Sequence, residues 1–221
     1  MQGGPWYAGV VRKQPDQTEP EALSMAARSR NKDTVNAILG AAIRILALEG
    51  YTRFTLRNIA KRVGLRLAAV QHYYPTKKDM LRAAIKGSIK QWDEPVSRLM
   101  LLPRRSARSR LQAVIKLHLG SCLDDLTGGF FVALWALAAQ DPDALDLLND
   151  TYRTAVERFT RLIMEANPGL VSGEATLRAI QILSLLEGTT ITAGPRKQYA
   201  AAIRQLEKRL VETALAIADR K

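Results

Sequence analysis

The chain has 221 residues, 47% of them hydrophobic, and a formal net charge of +12 at pH 7. Its length and its low content of glycine and proline predict a globular, helix-rich protein with a substantial core. No apolar run reaches the roughly 18 residues that a membrane span needs, and the N-terminus lacks the pattern of a secretory signal. The single cysteine, Cys122, excludes an internal disulfide and fits a reducing compartment, so we expect a cytoplasmic protein.

The positive charge is concentrated towards the N-terminus. Residues 28–90 contain 14 Lys or Arg against three acidic residues, a net charge of +11, whereas residues 91–221 contain 17 against 15. A basic segment beside a nearly neutral remainder is typical of a module that faces phosphates. A merely solvated basic surface is the alternative interpretation, but it does not explain why the charge coincides with the motif described below.

The N-terminal part of the chain divides into an unpatterned segment and a first helix. Residues 1–27 carry scattered Pro, Gly, Gln and Glu without a sustained period, which predicts a mostly disordered extension. Translation could begin at Met1 or at Met25, and the sequence leaves both open. A helical apolar period then predicts a first helix over Lys32–Glu49, and Gly50 is a signal that ends it.

The segment Thr55–Tyr74 has the order of residue sizes that a helix-turn-helix requires. Ala60 is small where the second helix crosses the first, and Gly64 suits a bend that needs a positive φ. Thr55 is a good N-cap for the first of the two helices. The positions that point into the angle between them are apolar, and they are Ile59, Val63, Leu65 and Val70. This arrangement usually places its second helix in the major groove of DNA.

After the motif the chain is predicted to be helical to its end. Pro75 breaks the second helix of the motif, and Thr76 can cap a long helix from Lys77 to about Leu101. Pairs of breakers such as Gly128–Gly129 separate further helices at about 106–124, 128–140, 143–166, 173–193 and 197–219. Neither a strand pattern nor an internal repeat is present, so the sequence predicts an all-α fold of about nine helices.

The motif and the helix order together resemble the TetR/AcrR family of transcriptional regulators. The matching residues lie between Asn36 and Leu81, and they include Glu49-Gly50-Tyr51, Thr55-x-x-x-Ile59-Ala60-x-x-Val63-Gly64-Leu65 and Val70-Gln71-His72-Tyr73-Tyr74-Pro75-Thr76-Lys77. The resemblance implies an N-terminal three-helix DNA-binding domain over 28–90, following the extension of 1–27. It further implies a helical bundle over 91–221 for ligand binding and dimerisation.

The recognition helix of such a motif, about Leu67–Tyr74, presents its early outward side chains to base edges. Arg66 and Gln71 are the candidates for base readout, because Arg pairs with guanine and Gln with adenine in the major groove. A phosphate contact that reads no sequence is the alternative role for Arg66. The resemblance places Thr55 and Lys77 at phosphates, where a helix N-terminus is also an anion site. The other candidate DNA contacts are a flexible basic arm and the surface of the recognition helix: Arg28, Arg30, Lys32, Leu67, Ala68, His72 and Tyr73.

The last two predicted helices carry more apolar surface than one neighbour can cover. The helix that follows Glu174 is apolar nearly all round, and the final helix has an apolar stripe. In the family these helices pair with their copies, which implies a homodimer with the interface residues Leu183, Leu186, Ile203, Leu206, Leu210 and Ile217. Closure of an ordinary monomeric core is the alternative. A two-fold dimer would set two recognition helices about 34–36 Å apart, on a palindromic operator.

The resemblance also implies a ligand pocket among the middle helices. Glu187 stands out, because a carboxylate in an apolar run needs a partner such as an arginine, a hydroxyl or a cationic ligand. Two histidines and one cysteine offer little for a zinc or iron site, so we expect neither a metal nor another cofactor. Large side chains at helical spacing are more often core than ligand contacts, and with that reservation the candidate lining residues are Trp92, His118, Cys122, Phe131, Trp135, Tyr152 and Glu187.

These observations favour a DNA-binding transcriptional regulator, a dimeric repressor that an unknown small molecule releases from its operator. No GxSxG, HExxH, GxGxxG or P-loop pattern is present, so we do not expect an enzyme. An architectural DNA-binding protein without a ligand is one alternative, and a helical interaction protein without DNA binding is another. Salt dependence without preference for one palindrome would favour the first alternative.

Overall fold

The computed structural model describes residues 18–101, 106–193 and 200–220. Within those ranges nine α-helices and no strand are present, which confirms the all-α prediction. The helices are α1 (Thr18–Glu49), α2 (Leu56–Val63), α3 (Leu67–Tyr73), α4 (Lys77–Met100), α5 (Ala107–Leu123), α6 (Asp125–Ala138), α7 (Pro142–Ala166), α8 (Ser172–Thr192) and α9 (Ala200–Ala218).

The first helix begins earlier than expected. Because α1 starts at Thr18, the prediction of disorder is wrong for residues 18–27, while residues 1–17 lie outside the described part. The segment that follows Pro20 is rich in Ala, Glu, Leu, Met and Arg, which are strong helix formers. A proline within the first turn does not interrupt a helix, because the N–H group that it lacks has no intrahelical partner there.

The expected division after residue 90 does not coincide with a break in the structure. The chain separates into two compact units, Met1–Asn36 and Ala37–Lys221, and the second unit spans that division. Residue 90 lies inside α4, which continues without a break to Met100 and even includes Pro95. The ranges 28–90 and 91–221 are therefore a hypothesis about roles along continuous helices.

Two hydrophobic clusters form the core of the unit Ala37–Lys221. The first contains the interior of the helix-turn-helix, where Phe54, Ile59 and Val70 are fully buried, and it also includes Phe130 and Leu134 of α6. The second lies among α5, α7, α8 and α9, and its members include Ile115, Phe159, Leu162, Ile182, Leu186 and Ala214. Because α6 belongs to the first cluster, it shares one hydrophobic core with the helix-turn-helix.

The start of α6 differs from the prediction, and close packing gives the reason. Gly128 and Gly129 were expected to break the chain, but they lie inside α6, which Asp124 caps by accepting hydrogen bonds from the Leu126 and Thr127 N–H groups. A Cβ on Gly129 would lie 2.7 Å from the carbonyl oxygen of Ala47 in α1. These glycines therefore allow helices to approach one another closely.

Replacing Gly129 by alanine is expected to destabilise the protein by about 1–3 kcal/mol, because α6 must move away from α1 to relieve the contact. Gly120 in α5 is the matched control, since a Cβ there meets nothing within 4 Å. Gly120→Ala should stabilise the protein by about 0.5–1 kcal/mol through helix propensity. Thermal unfolding followed by circular dichroism measures both effects, and equal shifts for the two variants would contradict this account.

No single helix in the described ranges is long and apolar enough to cross a membrane. The pair Ala107–Leu123 and Asp125–Ala138 reaches the required length and composition only when taken together, and the two helices are bent by 76° relative to each other.

Candidate nucleic-acid interface and internal cavity

The turn between α2 and α3 has the geometry that the motif predicts. The Thr55 hydroxyl caps α2 by accepting a hydrogen bond of 3.2 Å from the Asn58 N–H group. Gly64 has a φ of +68°, in the left-handed region that favours glycine, and its N–H group bonds back to the end of α2. Ile59 and Ala60 are buried in the angle between the helices, as expected.

The recognition helix α3 is packed on one side and open on the other. Val70 is fully buried, and Leu67 and Tyr73 are half-buried. The outward side carries the two candidates for base readout, and its exposed residues are Arg66, Ala68, Gln71 and His72. Arg66 is the N-cap residue of α3, but its side chain makes no capping hydrogen bond. The Arg66 guanidinium is therefore available for a ligand.

Hydrogen bonds hold the start of α4 in place beside this surface. Thr76 and Asp79 form a capping box, in which each side chain accepts a hydrogen bond from the backbone of the other. The Lys77 ammonium donates to the Tyr51 carbonyl oxygen at 3.3 Å and lies 3.5 Å from the centre of the Tyr51 ring. Partial burial lowers the pKa of Lys77. Lys77, the residue that was expected to bind a phosphate, is thus held in place by the loop before α2.

The expected basic arm lies in a helix. Arg28, Arg30 and Lys32 all fall within α1, so the prediction of a flexible backbone is wrong for them. The reason is again the helix-forming composition of this segment. Lys32 is exposed, and the side chains of Arg28 and Arg30 lie outside the described part of the structure.

All seven candidate ligand residues line one internal cavity. It lies among α4, α5, α6, α7 and α8, and its water-accessible volume of about 40 Å³ holds only a few water molecules. Sequence reasoning missed the small and polar members of the wall, which carry no signal in an amphipathic pattern. The lining residues are Trp92, His118, Ser121, Cys122, Thr127, Gly128, Phe131, Trp135, Thr151, Tyr152, Ala155, Glu187 and Thr190.

Four of these residues form a polar chain across the cavity wall. The Trp135 indole N–H group donates to the Tyr152 hydroxyl at 2.7 Å, and that hydroxyl donates to the Glu187 carboxylate. The other oxygen of Glu187 lies 3.3 Å from Nε2 of His118. The partner that Glu187 was expected to need is therefore a tyrosine hydroxyl together with an imidazole. We refer to Trp135, Tyr152, Glu187 and His118 as the polar chain.

The polar chain shifts the protonation of its members. Burial by itself lowers the pKa of His118, but the nearby Cys122 and Glu187 side chains outweigh burial and raise this pKa to about 9. Burial and the charge of Glu187 both raise the pKa of Tyr152, so its hydroxyl remains a donor. At neutral pH the cavity wall accordingly holds an imidazolium opposite a carboxylate.

Helix α4 connects the cavity to the helix-turn-helix. The Trp92 and His118 rings pack edge to face, with 5.3 Å between ring centres. The neighbouring residue, Asp93, forms an ion pair with Arg158 of α7. Near its start α4 is bound to α7 again, because Lys78 and Arg82 both pair with Asp143; these contacts lower the pKa of the Asp143 carboxyl. One helix therefore lines the cavity at Trp92 and begins directly after the recognition helix.

The candidate dimer residues divide between the core and the surface. Leu183 and Leu186 are buried among the helices of their own chain, so their assignment to an interface is wrong. An all-round apolar pattern does not indicate which side of α8 faces the core. The opposite side of α8 is exposed, with Leu177 at 59%, Ile180 at 45% and Ile191 at 51% exposure.

Helix α9 is likewise packed on one side against its own chain. Leu210 is buried at 8% exposure, and Ile203, Leu206 and Ile217 are half-buried. Leu210 therefore belongs to the core, whereas the three half-buried residues lie at its margin. In the part of the chain that the structure describes, no group of three or more His, Cys, Asp or Glu side chains is placed to hold a metal ion.

Comparison with known proteins agrees with this architecture. Residues 38–84 match the family of bacterial regulatory proteins of the tetR family. The HTH-type transcriptional regulator BetI of Serratia proteamaculans is 26% identical over 76% of this chain and 82% of its own length. The HTH-type transcriptional regulator YjdC of Escherichia coli K12 is 26% identical over 68% of this chain and 78% of its own.

Solved structures share the fold. A transcriptional regulator from Saccharomonospora viridis, crystallised in complex with choline, has a TM-score of 0.67 at 24% identity and aligns over 82% of this chain and 96% of its own. A TetR transcription regulator from Haloarcula marismortui has a TM-score of 0.68 at 19% identity, over 85% and 97% of the two chains. The relatives BetI and YjdC are both HTH-type transcriptional regulators. The matching helix-turn-helix, the order of the helices and the relatives together show a DNA-binding transcriptional regulator whose helix-turn-helix is of the tetR type.

Proposed function

We propose that the protein is a dimeric cytoplasmic repressor that leaves a palindromic operator when an organic cation occupies the internal cavity. Residues 28–90 would read the operator, and residues 91–221 would dimerise and bind the ligand. The observation that carries this proposal is the polar chain, which places a half-buried carboxylate among aromatic rings and contacts α4 at Trp92. A cavity of that composition suits a small ligand with a positive charge.

Operator reading rests on the exposed side of α3. Arg66 and Gln71 suit guanine and adenine edges, and Thr55 and Lys77 flank them at two helix N-termini where phosphates bind well. The ammonium of Lys77 is already oriented by Tyr51, so ordering it on DNA costs little conformational entropy. His72 and Ala68 complete the surface that faces the groove.

Dimerisation rests on the exposed side of α8. Leu177, Ile180 and Ile191 follow one another at helical spacing and form an apolar stripe with the small residues Ser184 and Gly188 between them. Two such stripes related by a two-fold axis would cover each other and exclude water from both. Ile203, Leu206 and Ile217 of α9 remain candidates at the margin of this interface. Leu183, Leu186 and Leu210 are excluded from it, because they are already buried.

The class of ligand follows from the wall of the cavity. Trp92, Phe131 and Trp135 offer aromatic faces to a cation, and Glu187 supplies a negative charge. The choline in the Saccharomonospora viridis relative supports a quaternary ammonium ligand. Because the cavity holds only a few waters, a ligand of that size must enlarge it. Enlargement would displace Trp92 together with α4, and thereby change the separation of the two recognition helices.

Choline is expected to release the protein from an operator selected from random DNA, as measured by fluorescence anisotropy. Its uncharged carbon isostere, 3,3-dimethylbutan-1-ol, should have little effect, because it lacks the charge that Glu187 compensates. Glu187→Gln should keep operator affinity but lose the response to choline, since glutamine retains a hydrogen-bond acceptor for Tyr152 without the charge. Glu157→Gln, at an exposed site on α7, is the matched control and should respond normally.

Two results would contradict the proposal. Equal release by choline and by its isostere would show that charge does not select the ligand. A normal response of Glu187→Gln would show that this carboxylate does not bind the effector.

A further inference from the structure

His118 is buried, and the described part of the structure does not satisfy its hydrogen-bonding capacity. It is 7% exposed, and its ring is enclosed by the rings of Trp92 and Phe159, with centres 5.3 and 5.9 Å away. Neither ring nitrogen has a hydrogen-bond partner with good geometry. The Nε2 atom lies 3.3 Å from the Glu187 carboxylate, which is close enough for an ion pair. His118 is therefore bound to Glu187 mainly by charge.

The groups that face His118 come from every helix around it. Glu187 of α8 carries a negative charge, Tyr152 of α7 donates its hydroxyl to that carboxylate, and Cys122 lies one turn further along α5. The side chain of α4 that contacts the His118 ring is the uncharged Trp92, and the Arg158 guanidinium, paired with Asp93, lies 5.7 Å from the centre of the Trp92 ring. Glu187 is accordingly the one carboxylate in direct contact with His118 among the described residues.

We propose that a cationic ligand replaces the imidazolium of His118 as the partner of Glu187, and that each ligand bound expels one proton from His118. This inference rests on the proposed function, because it assumes that an organic cation enters the cavity. It adds that the cavity wall already contains a cation, the imidazolium of His118, which must lose its proton when the ligand binds. The lining residue His118 would then act as a competitor within the site.

Electrostatics in a small enclosed space makes this exchange necessary. Two positive charges a few ångströms apart in a poorly hydrated cavity repel each other strongly. One carboxylate cannot compensate both of them. Deprotonation removes one charge at the nitrogen nearest the ligand, and neutral imidazole is an aromatic surface that tolerates a quaternary ammonium. The proton passes to solvent, and no covalent bond forms or breaks apart from the N–H bond.

The exchange gives a defined dependence on pH. Since the pKa of His118 in the free protein is about 9, the histidine is protonated at neutral pH. Below that pKa the affinity for a cation should rise about tenfold per pH unit, because one proton is released for each ligand bound. Between about pH 6.5 and about pH 8.5 the dissociation constant should fall about 100-fold. Above the pKa of His118 the affinity should no longer change.

The experiment is calorimetric titration of the full chain with choline at pH 7.5, in phosphate and in a sulfonate buffer with a larger ionisation enthalpy. The difference in heat between the buffers counts the protons released, and we expect about one per ligand. His118→Gln should release none and should bind choline with the same affinity at every pH. His72→Gln is the matched control, because His72 is the only other histidine and lies exposed on α3.

Each outcome decides a different statement. Choline binding with no proton released by the wild-type protein would overturn the exchange while leaving a cation site in place. If neither choline nor tetramethylammonium binds at any pH, the proposal that the ligand is a cation is wrong, and this inference fails with it. If His118→Gln fails to fold, which circular dichroism would show, the proton count and the pH dependence of the wild-type protein still decide.

Discussion

Replacing Arg66 and Gln71 together by alanine is expected to abolish selection of the operator while the dimer stays intact. Both side chains are exposed on α3, and the Arg66 side chain makes no capping bond, so their removal leaves the helix-turn-helix folded. Each bidentate contact to a base contributes about 1–3 kcal/mol of discrimination. The double variant should therefore lose at least about 30-fold in affinity for the operator and retain its affinity for random DNA.

Footprinting and anisotropy titrations on selected and random DNA measure this loss. The control is Arg161→Ala combined with Gln140→Ala, an exposed arginine and an exposed glutamine outside the recognition helix. An unchanged footprint for the double variant would refute the assignment of these two residues. If the DNA affinity of the wild-type protein falls steeply with salt and shows no preference for any palindrome, the alternative of an architectural DNA-binding protein is favoured instead.

Changing Leu177 and Ile180 to glutamate should convert the protein from a dimer to a monomer. A two-fold axis brings the same residues of both protomers together. Two substitutions per chain therefore place four carboxylates in one apolar contact. Operator affinity should fall by orders of magnitude, because two linked recognition helices gain from effective concentration and a single one does not. The fold should survive, since both side chains are about half exposed in the single chain.

Analytical ultracentrifugation measures the mass in solution. Leu145→Glu is the control, because Leu145 is an exposed leucine of α7, at 43% exposure, and is not part of the apolar stripe of α8. A dimer that withstands both glutamates would place the interface elsewhere. A wild-type monomer would support the alternative in which α8 and α9 only close the core of one chain.

The local features of the chain could be predicted because their causes lie within a few residues. Thr55 caps α2 and Gly64 adopts the left-handed conformation because the side chains and the turn that require them are adjacent in sequence. The prediction of a break at Gly128 and Gly129 was wrong. Glycine is common both where a helix ends and where two helices pack closely, so the residue type alone does not distinguish the two cases. Only the carbonyl of Ala47, distant in sequence, distinguishes the two cases.

The cavity and the dimer surface needed the tertiary structure to different degrees. Glu187 could be recognised from its sequence neighbours as a carboxylate that requires a partner, but its partners His118 and Tyr152 come from α5 and α7. The sequence of α8 is apolar on nearly every side, so it could not indicate that Leu183 lies inside and Leu177 outside.

The sequence by itself determined the all-α class and the local geometry of the helix-turn-helix, because repeating apolar spacing and helix caps act over one or two turns. The tertiary structure decided which helices approach closely, which side of α8 remains uncovered, and how a histidine and a glutamate 69 positions apart come to share one cavity. Those outcomes depend on which surfaces meet in the folded chain. Apolar side chains that a helical pattern does not distinguish become buried or exposed only when the neighbouring helices are in place.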